Sequence, residues 1–479
     1  MKQFILFCYG LISVFFSVGQ NTENVKTDNI SQKMDDFLSG LVKNNGFSGS
    51  ILVIKDGQEL LKKGYGFANR ENKIPFTPQT ISTVGSVTKQ FTAAAILKLE
   101  MQGKLSVTDE LEKFFPEAPA DKKKITLHQL LTHTAGLPPA VGDDYEPLVR
   151  DAFMKRVFNT PLNSAPGTKH DYSNVGYSIL AAIVELKSGM NYEQFLKQYL
   201  FEPAGMKHTG YVLPNWKDQT ICTGYRGNTI WGKSNEKPWA SDGPYWNLKG
   251  NGGILSNMED MYLWHQALLT NKVLNDAAKE KMYARHVKEG PDADSYYGYG
   301  WALMPTPRNT WLVTHNGGNG IFFCDFLRYL DENMVIIYQT NAIKRGLGDL
   351  AFLLARMIFV PGFNPEVKPE AAVQEFKTLA EAPNGKLLEE FISVMIKNDE
   401  NALKTFINEH FSPNFIARVP LEERLPRLKK IGGRIKDATI EKVTFDGEKT
   451  EIYFKSASDR LTFGAIIENG KIDGLMVMD

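Results

Sequence analysis

The sequence contains little cysteine and no excess of either charge. Among 479 residues there are three cysteines, and 55 lysines and arginines balance 55 aspartates and glutamates. Without net charge, no long-range field draws the chain to nucleic acid or to an acidic membrane. Basic runs interleaved with aromatic residues, which mark nucleic-acid surfaces, are also missing. We therefore expect a small-molecule or peptide substrate and no nucleic-acid partner.

Long apolar runs are equally scarce. One run, from Phe4 to Phe16, follows Lys2 and precedes the small residues Ser17 and Gly19. This order is typical of a secretory signal with its cleavage site, so we interpret residues 1–19 as a cleaved signal peptide. The run is too short for a stable membrane anchor. We expect a secreted or periplasmic protein without stable membrane insertion.

The cysteines do not indicate a disulfide framework. Cys8 lies inside the signal-like run, too early for a lipoprotein cysteine. Cys222 and Cys324 remain, far apart in sequence, and two buried thiols are favoured over a pair, which stays open.

Apolar residues are plentiful, at 43% of the chain with 29 Phe and 18 Tyr, and the length favours two domains. Strand patterns at both ends of residues 28–360, including a hairpin turned at Asp56-Gly57, enclose a helical insertion. This order predicts an α/β (α+β) domain whose sheet joins N- and C-terminal strands. Three prolines mark a linker over 361–375. Residues 376–479 then read as a second, small α+β domain.

Helix starts can also be located. Thr126 with Gln129 predicts a capping box, and Ser256 with Glu259 predicts another. Residues 20–30 are polar, and we expect them to be irregular.

A serine and a lysine stand at the head of an apolar helical run that ends near Gly103. Ser86 and Lys89 are three residues apart and share one helix face. Burial and the positive end of the helix both lower the pKa of Lys89 from about 10.4. A neutral lysine could take the proton of the serine hydroxyl. A surface lysine beside a capping serine is equally consistent with this stretch alone.

Three short motifs follow one another along the chain. They are Ser86-Val87-Thr88-Lys89, Tyr172-Ser173-Asn174 and His315-Asn316-Gly317. In order and rough spacing they resemble the S-x-x-K, Y-x-N and K/H-x-G motifs of the serine β-lactamase and penicillin-binding protein superfamily. The phrases LLTHTAGLP, PAGM and NGGILSNMEDM are also similar, over roughly residues 30–360. The resemblance implies a β-lactamase-like transpeptidase fold and a serine hydrolase that forms an acyl-enzyme.

The resemblance also implies roles for the first two motifs. Ser86 would attack an acyl carbonyl while Lys89 takes its proton, and Tyr172 would pass a proton to the leaving group. Asn174 would hold Lys89 and contact the substrate amide. From the residues alone, a core tyrosine with a satisfied hydroxyl is favoured for Tyr172, and Asn174 could be a helix N-cap.

The third motif departs from the β-lactamase pattern. His315 replaces a lysine and Asn316 replaces a hydroxyl residue, as in DD-carboxypeptidases and D-aminopeptidases that the motif resembles. The permanent charge that would hold a substrate carboxylate is weakened, although a histidine can still donate a hydrogen bond. Gly317 would let substrate lie close to the strand, and the backbone N–H groups of Ser86 and Gly318 are the implied oxyanion hole.

These observations favour hydrolysis of D-amino-acid-containing peptides or amides, with a β-lactam or carboxylic ester as the alternative. A non-catalytic binding protein of the same fold is the alternative from another class. No zinc motif, histidine cluster or phosphate-binding loop is present in the sequence, so we expect no metal and no cofactor. A G-x-S-x-G nucleophile elbow is also missing. His133 could pair with a serine, but its place at a helix end favours a structural role.

The second domain resembles the small cone-shaped α+β domains related to nuclear transport factors. It could bind a ligand, cover the active site or mediate self-association.

Overall fold

The computed structural model describes residues 16–291, 293–344, 347–367, 373–418, 421–447, 449–456 and 460–478, with side chains from residue 29 onward except at 414, 417, 418, 423 and 478. The chain divides into two compact units, residues 1–367 and 368–479. The division falls inside the segment 361–375 that was predicted to be a linker. Most of the predicted signal segment, with Cys8, lies outside the described residues.

The strands of the first unit are, in chain order, β1 (Gly49–Lys55), β2 (Gln58–Tyr65), β3 (Phe67–Asn69), β4 (Ile74–Pro75), β5 (Ser82–Thr83), β6 (Gly224–Arg226), β7 (Thr229–Gly232), β8 (Trp239–Ala240), β9 (Gly243–Pro244), β10 (Leu255–Ser256), β11 (Val287–Lys288), β12 (Tyr296–Tyr297), β13 (Ala302–Pro305), β14 (Trp311–Gly318), β15 (Phe323–Tyr329) and β16 (Met334–Thr340). Its helices are α1 (Phe16–Asn45), α2 (Thr88–Met101), α3 (Leu127–Leu131), α4 (Arg150–Asn159), α5 (Asn174–Ser188), α6 (Tyr192–Leu196), α7 (Glu202–Ala204), α8 (Met258–Leu268), α9 (Asp276–Tyr283) and α10 (Leu350–Phe359).

The main sheet joins strands from both ends of this unit, which confirms the predicted architecture. In the described residues its order is β11-β12-β13-β14-β15-β16-β1-β2, and the pairs are antiparallel. Asp56 and Gly57 turn the β1–β2 hairpin with φ of 52° and 75°, as a two-residue turn of this type requires.

Both faces of the sheet are buried, and alternate residues of β1 show why. Leu52 and Ile54 pack into the core formed with the inserted helices. Ile51 and Val53 pack on the opposite side with α1 and α10. Strands covered on both faces need apolar residues at every position, which explains the continuous run ILVI in the sequence.

Helix α1 corrects the expectation that residues 20–30 are irregular. Met34, Phe37, Leu38 and Leu41 recur at helical spacing and are buried against the sheet. Once this packed segment is helical, extending it toward the N-terminus adds one hydrogen bond per residue without a new nucleation cost, so polar residues join it.

The helix starts were predicted with one error. Thr126 and Gln129 form the expected capping box of α3. The start of α8 is shifted by one residue, because the Asn257 side chain accepts the Asp260 N–H. Ser256 is instead the last residue of β10, and its hydroxyl meets that of Thr209 at 2.8 Å.

The second unit contains a separate core. Its strands are β17 (Gln374–Phe376), β18 (Thr439–Phe445), β19 (Lys449–Lys455), β20 (Arg460–Glu468) and β21 (Lys471–Met478), and its helices are α11 (Gly385–Lys397), α12 (Glu400–His410), α13 (Pro413–Arg418) and α14 (Leu421–Ile435). The strands form one antiparallel sheet in chain order. Helix α14 was not predicted, since Pro426 lies within it and proline normally interrupts a helix.

Two smaller expectations can be compared with the structure. Cys222 and Cys324 are both buried and unpaired, as favoured. Among the described helices, none combines the length and apolar composition needed to cross a membrane.

Candidate active site

Ser86 lies in a 3-10 turn, Gly85–Val87, that leads directly into α2. The turn is pressed against the end of β14, and a Cβ atom on Gly85 would lie 2.7 Å from the backbone nitrogen of Gly318. Gly85 also has φ of 53°, so other residues would be strained there. A Cβ atom on Gly317 would lie 2.3 Å from the backbone nitrogen of Ser86. The two segments named for the oxyanion hole are therefore adjacent.

Lys89 is completely buried, and its amine is surrounded by oxygen atoms. Its Nζ lies 2.9 Å from Ser86 Oγ, 2.8 Å from Asn174 Oδ1 and 2.9 Å from the backbone carbonyl oxygen of Asn251. It also lies 4.8 Å from the centroid of the Tyr172 ring. The alternative of a surface lysine is wrong.

The surroundings of Lys89 favour its neutral form. Burial lowers its pKa well below the usual 10.5, and the negative charge of Asp144 only partly opposes this. The Asn174 and Asn251 oxygens can only accept hydrogen bonds. A neutral amine would donate its two protons to them and keep its lone pair for the Ser86 hydroxyl, the one partner with a proton to give.

Tyr172 and Asn174 reach the same point from the start of α5. Ser173, not Asn174, caps this helix, because its side chain accepts the Gly176 N–H. Asn174 is thereby free to hold Lys89. The pKa of the Tyr172 hydroxyl is raised, because burial outweighs its hydrogen bond with Ser86. The desolvation concerns its hydroxyl, whereas 37% of the residue as a whole is exposed, so Tyr172 is not a fully packed core tyrosine.

His133 packs against Tyr172 and accepts a hydrogen bond from the neighbouring residue. Its ring centroid lies 4.2 Å from that of Tyr172, and its Nδ1 accepts the Ser173 N–H at 3.0 Å. These contacts place His133 beside Tyr172, just after the end of α3, in agreement with a structural role. Burial lowers the pKa of His133 well below 6.5.

His315 is brought to the site but offers no free N–H. Its Nδ1 lies 2.6 Å from the Asn316 carbonyl oxygen, to which it must donate, and its Nε2 then accepts the Tyr297 hydroxyl at 2.9 Å. Burial lowers the pKa of His315 to about 3. The expectation that His315 donates to a substrate carboxylate is not supported by this arrangement. Asn316 is exposed on the same strand.

Two cavities adjoin Ser86. A small one of about 50 Å³ is lined by Asn174, Asn251 and Asp144, among others. A larger one of about 380 Å³ is lined by Tyr172 and by the β14 residues from Thr314 to Gly318. Asp144 and Asn251 were missed from the sequence. Asn251 contributes a backbone carbonyl, which no residue pattern reveals, and Asp144 lies in a loop without a motif.

Known proteins resemble this chain in sequence and fold. The family model described as Beta-lactamase matches residues 29–351. A Bacillus subtilis (strain 168) protein named as penicillin-binding protein PbpX is 33% identical over 286 residues, 60% of this chain and 68% of that protein. A Salmonella schwarzengrund protein named as a D-alanyl-D-alanine carboxypeptidase is 29% identical over 312 residues, 56% of this chain and 71% of that protein. The solved octameric penicillin-binding protein homologue from Pyrococcus abyssi has 22% identity and a TM-score of 0.59, over 97% of this chain and 99% of that one, and so shares the fold.

Proposed function

Because the chain belongs to the beta-lactamase family and is a serine hydrolase, we propose that it cleaves D-amino-acid-containing peptides or amides through an acyl-enzyme on Ser86. The observation that carries the proposal is the contact of Ser86 Oγ with a buried amine whose other two partners are acceptors. A serine hydroxyl needs such a base to become a nucleophile near neutral pH.

The proposed acylation begins with Ser86. Its oxygen attacks the substrate carbonyl carbon while its proton passes to Lys89 Nζ. The carbonyl oxygen becomes negatively charged, and the N–H groups of Ser86 and Gly318 would stabilise it. When the bond to the leaving nitrogen breaks, Tyr172 gives that nitrogen a proton and regains one from Lys89. Water, deprotonated by the same groups, then hydrolyses the ester and restores Ser86.

The substrate class rests on the third motif. A lysine there would present a permanent cation, whereas His315 is neutral in the working range. This supports amide or peptide substrates over β-lactams, whose carboxylate needs such a charge. A carboxylic ester remains the second candidate, because Ser86 and Lys89 do not distinguish an ester from an amide.

The remaining proposals concern location and the second domain. The signal-like segment 1–19 supports a secreted or periplasmic enzyme. We assign the hydrolase to residues 28–360, with Asn316 and Gly317 in substrate binding. Residues 376–479 are proposed to bind a ligand, cover the site or mediate self-association.

Intact-protein mass spectrometry tests the proposal. The protein is mixed with D-amino-acid peptides, esters and penicillins, and the added mass identifies the acyl group retained. We expect D-amino-acid compounds to turn over fastest. A fluorophosphonate should label the protein once. Ser86→Ala should abolish this label while thermal unfolding changes little. Labelling that persists in Ser86→Ala would contradict the assignment.

A further inference from the structure

Asp144 is a carboxylate that faces the nucleophile without a partner. It lines the small cavity beside Ser86, and no hydrogen bond or ion pair joins its side chain to any described residue. Two residues further on, Glu146 is held by both terminal nitrogens of Arg156, at 2.6 and 2.7 Å. The loop therefore contains one carboxylate with a structural partner and one left open toward the site.

A partly buried carboxylate without a hydrogen-bond or ion-pair partner is unfavourable unless a bound ligand supplies that partner. Burial raises the pKa of Asp144, and the charge of Lys89 opposes that rise. Lys89 itself cannot serve as the partner, because its three contacts are Ser86, Asn174 and Asn251. A partly buried anion that lacks hydrogen bonds costs free energy, which a bound cation would offset.

The rest of the site contains no cation for an anionic substrate group. Among the described residues that line the two cavities there is no lysine or arginine, and the acidic side chains are Asp144, Glu289 and Asp325. Asp325 is only 2% exposed, its Oδ2 has no partner among the described residues, and burial raises its pKa to about 8. Both ring nitrogens of His315 are already engaged. A substrate carboxylate would meet acids on both sides of Ser86.

The two cavities differ in size, and each one adjoins a residue that would act on a different half of the substrate. Asn174, which would contact the acyl amide, lines the small cavity of about 50 Å³. Tyr172, which would protonate the leaving group, lines the cavity of about 380 Å³. A volume of about 50 Å³ accepts only a few water-sized groups. The acyl half is therefore short, and the leaving half is longer.

We propose that Asp144 binds the free ammonium group of the substrate, so that the acyl unit is one small amino acid with an unblocked amine and the remainder of the peptide leaves. This rests on the proposed acyl-enzyme at Ser86 and makes the enzyme an aminopeptidase-type hydrolase. It differs from the carboxypeptidase activity in the name of a relative, in which a free carboxylate lies on the leaving side. A bound ammonium would also cancel the effect of Asp144 on Lys89 and favour the neutral base.

The first test uses the unmodified protein and two substrates. D-Alanine p-nitroanilide has a free amine, and N-acetyl-D-alanine p-nitroanilide has the same acyl residue with the amine blocked. We expect kcat/KM to be at least about tenfold higher for the free amine, since an ion pair of this kind is a strong contact. Equal rates, or faster release of D-alanine from an N-blocked peptide with a free carboxylate, would overturn the inference.

Two variants then assign the preference to one carboxylate. Asp144→Asn should reduce the ratio of the two kcat/KM values to near one. Asp143→Asn removes the same charge from the exposed neighbouring position and should leave the ratio unchanged. A ratio that survives in Asp144→Asn, or falls equally in both, would contradict the role of Asp144.

Failure of the proposed acyl-enzyme can be distinguished from failure of the proposed amine site. If fluorophosphonate does not label Ser86 in the unmodified protein, the acyl-enzyme itself is wrong. If Ser86 is labelled but the blocked and free substrates react alike, the acyl-enzyme stands and only the amine site is refuted.

Discussion

Two buried lysines of the first unit show how the active-site region differs from a structural one. Lys249 is 2% exposed, and its Nζ forms an ion pair with Asp242 at 2.7 Å. Lys89 is equally buried, but its amine contacts a hydroxyl and two carbonyl-type oxygens. Burial opposes charge in both places, and only Lys249 has a contacting carboxylate that compensates.

Burial alone therefore does not make a lysine a catalytic base. A lysine that forms an ion pair contributes to structure, whereas a lysine among neutral acceptors can lose its proton. The distant Asp144 moderates the effect at Lys89 but forms no ion pair with it. Burying Lys89 without an ion pair therefore lowers the stability of the fold, and it leaves the amine available as a base.

Replacing each of the two lysines in turn should give the largest difference in acylation rate. Lys89→Met is expected to slow acylation of Ser86 by about a hundredfold or more, because the general base is lost. Lys249→Met should acylate normally and change the free energy of unfolding by at most about 1 kcal/mol, because the Asp242 side chain is 36% exposed and water replaces its lost partner. Stopped-flow acylation and urea unfolding of both variants measure the two effects. Similar acylation in the two variants would remove the distinction.

The pH dependence of acylation should report the proton on Lys89. Its neutral form is the active one, so the rate should fall about tenfold per pH unit once pH drops below its lowered pKa. His315, with a pKa of about 3, does not titrate in the same range. Acylation rates of the unmodified protein between pH 5 and 10 test this. A rate that keeps rising about tenfold per pH unit up to pH 10, as a lysine with the usual pKa of about 10.4 would give, would contradict the lowered pKa of Lys89.

The free energy of unfolding should also depend on pH through the proton on Lys89, with a smaller effect. The folded pKa of Lys89 is lowered, so its contribution is fully favourable above about pH 10.4 and is lost as pH falls toward the folded pKa. Within that window the unfolding free energy of the unmodified protein, minus that of Lys89→Met, should rise by about 1.4 kcal/mol per pH unit. Urea titrations at several pH values measure the slope, and a slope of zero would mean an unshifted lysine.

Removing the second unit should have the smallest effect on either lysine. Both lysines and their named partners belong to residues 1–367. A chain ending after Val367 should stay soluble and acylate at a similar rate. Ending at residue 360 would be less safe, because the Val367 side chain packs on α1 at Gly40. An insoluble product would show that the two units share a core.

Ser86 and Lys89 can be predicted from sequence because a short-range rule, three residues on one helix face, brings them together. Tyr172 and Asn174 require the motif order, since they are remote in sequence. The Asn251 carbonyl and the Tyr297 contact of His315 could not be predicted, because they depend on how distant loops pack. The sheet was predictable from the apolar strand patterns at both ends of the first unit, whereas α14 was hidden by its proline.

The most direct test of the account is the acylation rate of Lys89→Arg. Arginine keeps the positive charge but stays protonated in proteins, so it cannot accept the Ser86 proton. We expect acylation by a fluorogenic ester or fluorophosphonate to fall by about a hundredfold or more, while circular dichroism shows an intact fold. Near-normal acylation in Lys89→Arg would contradict the claim that a neutral Lys89 activates Ser86.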